Sequence, residues 1–225
     1  MGTPTITLKN DILAVRFAAQ QWMLSWSLTR PGFVQADTVA WLHVSQADLP
    51  VGVDPAGLLR GRMAAAGHDA AVQMMTSRDL RRHHAVTRRS GDISAFCLAT
   101  VGLGNAGRVG HPSLPAAKLG TINLAVQVDQ CLDQAGLIES LSIVTQARTA
   151  AVMDIGWTID NAVATGTGTD CIVVACPTQG LAQTYAGLHT EIGAALGTAV
   201  YEAVLAGARE WVAEKTGQQQ MGNPG

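Results

Sequence analysis

At 225 residues and a formal charge of −2, the chain can build one domain, or two small ones, around a real core, and it lacks the basic excess that broad nucleic-acid binding needs. Apolar residues make up 48% and charged residues 14%, which excludes a mostly disordered chain. Lysine occurs only as Lys9, Lys118 and Lys215, so chemistries that need a well-placed lysine are disfavoured.

No apolar run approaches the roughly 18–20 residues that span a bilayer. The N-terminus has no basic head followed by an apolar core, so the expectation is a soluble cytoplasmic protein without a signal peptide. Neither nucleic acid nor membrane is expected as a partner. Cys97, Cys131, Cys171 and Cys176 form no CxxC pair and no zinc spacing, and read as small hydrophobes in a reducing compartment.

Thr5–Leu8, Asn10-Asp11 and Ile12–Phe17 predict a β-hairpin with a polar turn. Trp22–Leu28 and Thr38–Val44 read as further strands, parted by the breaker Arg30-Pro31-Gly32. Pro55 opens a short helix to about Ala66, closed by Gly67. Ala70–Met75 and Ile93–Val101 are strands again. Between them lie Arg78, Arg81, Arg82, Arg88 and Arg89 around His83-His84. This cluster can meet an anion or form a solvated face, and adjacent histidines on a strand point to opposite faces.

Gly102-Leu-Gly104-Asn105-Ala-Gly107 matches a dinucleotide fingerprint, with Asp129 near the distance of a ribose-binding acid. Gly110, Pro112, Pro115 and Gly120 rule out the crossover helix it would need, leaving a glycine loop with Asn105 and Arg108 as polar contributors to a pocket. Leu124–Val128 is an apolar strand preceded by Thr121 and Asn123. A helix follows over about Gln134–Met153, with Leu137, Leu141, Val144, Arg148 and Ala151 on one face, ended by Gly156. The last helix runs from about Thr190 to Glu214, with Ile192, Leu196, Val200, Val204 and Trp211 on one stripe. Gly193 and Gly197 permit close packing there. Residues 217–225 read as a frayed tail and 1–216 as one domain. The fold class is mixed α/β: a mixed sheet with a strand-rich N-terminal half and two long C-terminal helices packed on it.

The chemistry concentrates at Thr165-Gly166-Thr167-Gly168-Thr169-Asp170, which runs into the all-apolar Cys171–Cys176. The apolar run predicts a strand covered on both faces. Glycines and small hydroxyls before it let backbone amides approach a ligand, with Asp170 held at the seam.

Taken in order, Gly120-Thr-Ile-Asn123, Ala164-Thr-Gly-Thr-Gly-Thr-Asp170, Val173-Val-Ala175, Tyr185-Ala-Gly187, His189-Thr190 and Ala199-Val-Tyr-Glu-Ala203 resemble the adenosylcobinamide amidohydrolase family of corrinoid salvage. Three positions depart from the family pattern: Gln146-Ala-Arg148 stands where Glu-Ala-Lys is expected, and Leu188 where a polar residue or proline is expected. The resemblance implies hydrolysis of the amide joining the corrin carboxyl to its aminopropanol arm. The products would be adenosylcobyric acid and aminopropanol or its phosphate, and the substrate would be a small-molecule corrinoid whose cobalt is not a cofactor of the enzyme.

Within that expectation, Asp170 and His189 jointly activate a water or the Thr169 hydroxyl, the Thr165–Thr169 amides hold the oxyanion, and His189 protonates the departing amine. Thr165, Gly166, Thr167, Gly168, Asn105, Arg108, Thr121, Asn123, Tyr185 and Glu191 are the expected substrate contacts. Gln127 joins the asparagines as an amide partner, and Trp22, Trp26, Trp41, Trp157 and Trp211 are candidate walls. No metal site is expected, although Asp170, His189 and Glu191 could share an ion. Asp170 can equally just satisfy loop amides, and Glu191 suits a helix N-terminus. There is no GxSxG elbow and no HExxH. A non-catalytic corrinoid carrier and a phosphate-binding enzyme remain the alternatives, and homo-oligomerisation stays open.

Overall fold

The structure is a computed structural model that describes residues 2–111 and 120–221, with side chains described as far as 217. In chain order the elements are β1 (Thr5–Lys9), β2 (Ile12–Ser25), β3 (Gly32–His43), α1 (Pro55–Ala65), β4 (Val72–Thr76), β5 (His83–Ser90), β6 (Ile93–Val101), β7 (Ala106–Gly107), β8 (Ile122–Val128), α2 (Gln134–Asp154), β9 (Thr158–Ile159), β10 (Ala162–Val163), β11 (Gly166–Thr167), β12 (Cys171–Pro177) and α3 (Glu191–Met221). An eight-stranded mixed sheet follows the path β4-β3-β2-β12-β8-β6-β5, with β1 paired to β2. The expected fold class is the one observed.

Local chemistry sets the first elements. Asn10 and Asp11 both take positive φ, 50° and 60°, which a two-residue hairpin turn requires and which these side chains tolerate. At α1 the Asp54 carboxylate accepts from the amides of Ala56 and Gly57, each at 3.0 Å, Pro55 supplies a pre-set first turn, and Gly67 at φ 76° follows the helix end. The strand candidate Ile12–Phe17 and the Trp22–Ser25 part of the candidate Trp22–Leu28 are one strand, β2, broken only in register, and Trp26–Leu28 lie beyond its end. Arg16 opposes Thr38 and Gln21 opposes Ala36, so extra β2 residues bulge out between them. Before the bulge β2 has β1 on its second edge; after it, β12.

The two ends of the strand path are joined by only a short connection, Ser77 to Arg82. Laid flat, six inter-strand spacings would part β4 from β5 by about 29 Å. Seven Cα steps, from Thr76 to His83, reach at most about 25 Å. The sheet must therefore curl, and a hydrogen bond proves it: Asn123 Nδ2 in β8 donates to the Met75 carbonyl in β4 at 2.8 Å, across four strand spacings. Inside the curl, Leu13, Val15, Trp41 and Val72 meet Leu98, Ala125 and Val173 in one core.

On the outer face Ile122, Leu124, Val126, Ile172 and Val174 pack against Leu137 and Val144 of α2 and Leu196, Val200 and Val204 of α3. Each such side chain, fully buried, contributes about 1.5–3 kcal/mol. Gly193 lets the first turn of α3 press onto the Ala186 and Gly187 carbonyls, where a Cβ has no room. The helix continues to Met221, beyond Glu214 and into the stretch read as a frayed tail.

Three arginines of the cluster bind α3, while Arg81 pairs with Asp79 and Arg89 donates to the Asp92 carbonyl. Arg78, with its side chain 8% exposed, holds Glu214 at 2.5 Å and Glu210 at 3.5 Å, Arg82 adds a bond to Glu210, and Arg88 pairs with Glu202. His84 reaches Glu210 while His83 meets the Leu80 carbonyl, so the two rings share no site. Among the described residues no helix is long and apolar enough to cross a membrane.

Removing both partners of a buried guanidinium leaves an uncompensated charge, so Glu210→Ala/Glu214→Ala is expected to lower unfolding free energy by about 3 kcal/mol in urea titration. Burial pushes the Glu210 carboxyl up, but bonds from Arg82 and His84 outweigh it and hold the pKa below its ordinary value. A depressed carboxylate stabilises above its unfolded pKa and loses that contribution as pH falls through the folded one. Wild type should thus lose stability below about pH 4.5 more steeply than Glu210→Gln.

Candidate active site

Both β8 and β12 begin at one end of the curled sheet, running parallel with Asn123 opposite Cys171. The Gly/Thr loop feeds β12 at that end, and Asp170 organises it. One carboxylate oxygen accepts from the Ile122 amide at 3.1 Å and from the Thr167 hydroxyl; the other accepts from the Thr167 amide at 3.1 Å and from Arg148 Nη1 at 2.5 Å. A carboxylate has about four lone-pair positions, so these four donors fill it. With its side chain 7% exposed, Asp170 is a buried anchor for the loop.

Glycine is required around this anchor. Arg148 crosses Gly166 where any Cβ would stand, and a Cβ on Gly120 would lie 2.5 Å from the Gly104 nitrogen. The Gly102–Gly107 segment is thus a packing partner of the Gly/Thr loop. Its β7 pairs with β11, Gly107 opposite Gly166, and the Asn105 carbonyl accepts from the Gly168 amide at 3.0 Å. No dinucleotide loop forms. Asp129 accepts from the Ser94 amide at 3.0 Å, tying the far end of β8 to β6. The stretch 112–119, on which the argument against a crossover helix partly rested, lies outside the described residues.

A cleft of about 480 Å³ opens at this mouth of the sheet. Trp26, Leu28, Val44, Leu49, Met74 and Met75 give it apolar walls, and Thr121, Asn123, Gly168, Thr169 and Asp170 give it a polar end. Barrel mouths with few polar groups among apolar walls are ordinary ligand sites. Trp26 Nε1 donates to the Asp170 carbonyl at 2.7 Å, fixing that wall to the loop. Asn123 is spent on the Met75 carbonyl, and the Thr121 hydroxyl on the Thr169 carbonyl at 2.8 Å. The Thr169 hydroxyl differs. It is exposed and, among the described residues, reaches only the Gly120 carbonyl, at 3.3 Å, long for an O–H···O bond. Cys171 also lines the cleft, but burial, helped by the Asp170 charge, pushes its thiol up to about 12, so it is neutral at pH 7 and a poor nucleophile.

The expected pairing of Asp170 with His189 does not form. Helix α3 begins beside the β5–β6 turn, where Gly91 makes room for the Glu191 carboxylate, and that turn lies beyond Val128. Asp170 lies before Cys171 and bonds to Ile122, at the opposite end of the strands. Six residue steps along β8, from Ile122 to Val128, separate the two ends by about 20 Å. Exposed His189 and Tyr185 sit at the far end with Glu191, where Thr190 caps α3 by accepting from the Gly193 amide at 2.9 Å. These three belong to the helix start and not to the cleft. Of the loop amides expected to hold an oxyanion, those of Thr165, Thr167 and Gly168 donate within the protein.

Thr165, Gly166 and Thr167 line a different cavity with Asn105 and Arg108. Gln127 is buried against Gln21 at 2.8 Å, Trp41 is core, and Trp157 and Trp211 stack edge-to-face under α3 with centroids 5.0 Å apart. Among the described residues no group of three His, Cys, Asp or Glu is placed to hold a metal ion. Sequence reasoning missed Arg148 and the Met74–Ser77 wall. A lone arginine on the otherwise apolar α2 face was the available signal for a buried acidic partner.

A family model described as adenosylcobinamide amidohydrolase matches residues 2–216. A Halobacterium salinarum protein named adenosylcobinamide amidohydrolase is 33% identical over 155 residues, which are 64% of this chain and 63% of that protein. The alignment thus spans less than two thirds of the relative's length. Among solved structures, a crystal structure of a Pyrococcus horikoshii OT3 protein aligns with 91% of this chain and 82% of its own, at TM-score 0.43 and 10% identity.

Arg148→Met strands the Asp170 carboxylate without its charged donor, a loss of about 3 kcal/mol. Thermal melting should register it, and amide exchange should quicken selectively across Thr165–Asp170.

Proposed function

The chain belongs to the adenosylcobinamide amidohydrolase family, and on that premise we propose that it hydrolyses the amide between the corrin carboxyl and the aminopropanol arm of adenosylcobinamide. Adenosylcobyric acid and aminopropanol are the products, released for corrinoid salvage in the cytoplasm. Cobalt arrives inside the substrate and is not a resident cofactor.

The observation that supports this reading most is the cleft itself, apolar along its walls and hydroxyl-bearing at one end. A volume of about 480 Å³ takes the amide arm and one ring edge, leaving the broad corrin face against the partly exposed Trp26 and Leu28 at the rim. Hydrolysis adds a water oxygen to the carbonyl carbon and breaks C–N. The leaving nitrogen gains a proton, so carboxylate and ammonium separate at neutral pH. In this assignment Thr169 supplies the reacting hydroxyl, either attacking the carbonyl itself or holding the attacking water. Asp170 and Arg148 position it through the loop, and Asn123 and Thr121 fix the two walls. Apolar walls strengthen every dipole that meets the developing charge.

Incubation with adenosylcobinamide followed by chromatography should reveal adenosylcobyric acid. Thr169→Ala should cut kcat by about 100-fold or more, on the scale of removing one catalytic group. His189→Ala should stay within about twofold of wild type, because it touches no reacting atom. Corrinoid retained unchanged by the wild-type protein would make it a carrier instead.

A further inference from the structure

The Gly/Thr loop lines two cavities. Besides the cleft, a second space of about 490 Å³ is bounded by Asn105, Arg108, Thr145, Arg148, Thr149 and Thr165, with Gly168 common to both. No carboxylate lines it among the described residues. Its donors are only partly used. Arg148 spends Nη1 on Asp170 and on the Thr165 carbonyl, and its Nε is buried with no partner. Arg108 spends Nη1 on the Val163 carbonyl at 2.8 Å. The Thr165 hydroxyl accepts from the Val109 amide at 2.8 Å, which leaves its own proton to give. Two guanidinium groups against the single Asp170 charge leave the neighbourhood positive.

We propose that this second cavity is an anion subsite for a phosphoryl group. A tetrahedral dianion matches the need: several oxygens that each accept, meeting forked guanidinium donors and hydroxyls with no competing acid. Glycine at 166 makes the room that the Arg148 guanidinium fills, and glycine at 168 the room for the Asn105 side chain, so both groups sit against the loop at the cavity's edge. The shared loop makes the site consequential, because an anion on Arg148 acts on the residue that orients Asp170. The phosphoryl group can come attached to the ligand in the cleft, reaching over Gly168, or as free phosphate. The first source rests on the hydrolytic reading above; the anion site does not.

Titration of the full chain with inorganic phosphate, followed by calorimetry and by ³¹P line broadening, tests the site without turnover. Saturable binding is expected, weakened about tenfold or more in Arg108→Gln, which leaves the Arg148–Asp170 pair intact. Thr149→Val serves as a second variant should Arg108→Gln fail to fold, with binding again weakened. Absence of saturable binding, or equal binding in wild type and a folded variant, overturns the proposal. Hydrolysis then separates the sources. If Arg108→Gln raises KM only for substrate phosphorylated on its arm, the group travels on the ligand. If it instead abolishes the effect of added phosphate on unphosphorylated substrate, the group is free. A KM that rises alike for both substrates, with phosphate effects unchanged, also overturns the anion role.

Discussion

Curling of the sheet is the constraint from which the rest follows. Strands β4 and β5 sit at opposite ends of the path yet are joined by six residues, so the sheet curls until β4 faces β8. The curl creates an inner core around Trp41 and a mouth where β8 and β12 begin. Every candidate site residue that the cleft brings together lies at that mouth. The β2 bulge serves the same geometry, because it sharpens local twist and lets one strand exchange β1 for β12 as its neighbour. The Arg78 pairs with Glu210 and Glu214 then lock the crossing segment onto α3.

At the mouth, saturated and loosely bonded polar groups are divided between neighbours. Asp170 is saturated with donors and holds the loop in one shape; Thr169, one residue earlier, keeps a loosely bonded hydroxyl in the cleft. Burial explains the division, since a desolvated carboxylate is tolerable only when fully bonded, and full bonding leaves it little capacity for a ligand. The same logic silences Cys171, whose thiol is protonated because nothing nearby offsets its desolvation.

Much of this was readable from residues one at a time. Asn10-Asp11, the helix start at Pro55, the apolar Cys171–Cys176 run and the stripes of α2 and α3 each obey local rules, and each forms as expected. The Gly/Thr loop, read from its glycines and small hydroxyls as a ligand-approach loop, forms one end of a cleft. What local rules cannot carry is which end of a strand a distant segment reaches. Tyr185, His189 and Glu191 look close to Asp170 in sequence, but β12 intervenes and delivers them about 20 Å away. Arg148 illustrates the converse, because helix α2 returns it to the loop from 22 positions earlier. The continuity of β2 was hidden for a related reason: residues between Arg16 and Gln21 bulge, and a bulge erases the alternation by which a strand is recognised.

The placement of β12 between β2 and β8 has a consequence for biogenesis. Its partner along one edge, Gln21–Ser25, is made about 150 positions before the segment that covers it. Until Pro177 has left the ribosome, the nascent chain carries an open hydrogen-bonding edge on β2 and another on β8. Those two edges are complementary to the same missing strand, so a foreign extended segment could occupy the gap. Holding the N-terminal half apart from other chains during synthesis is therefore a demand this topology places on the cell.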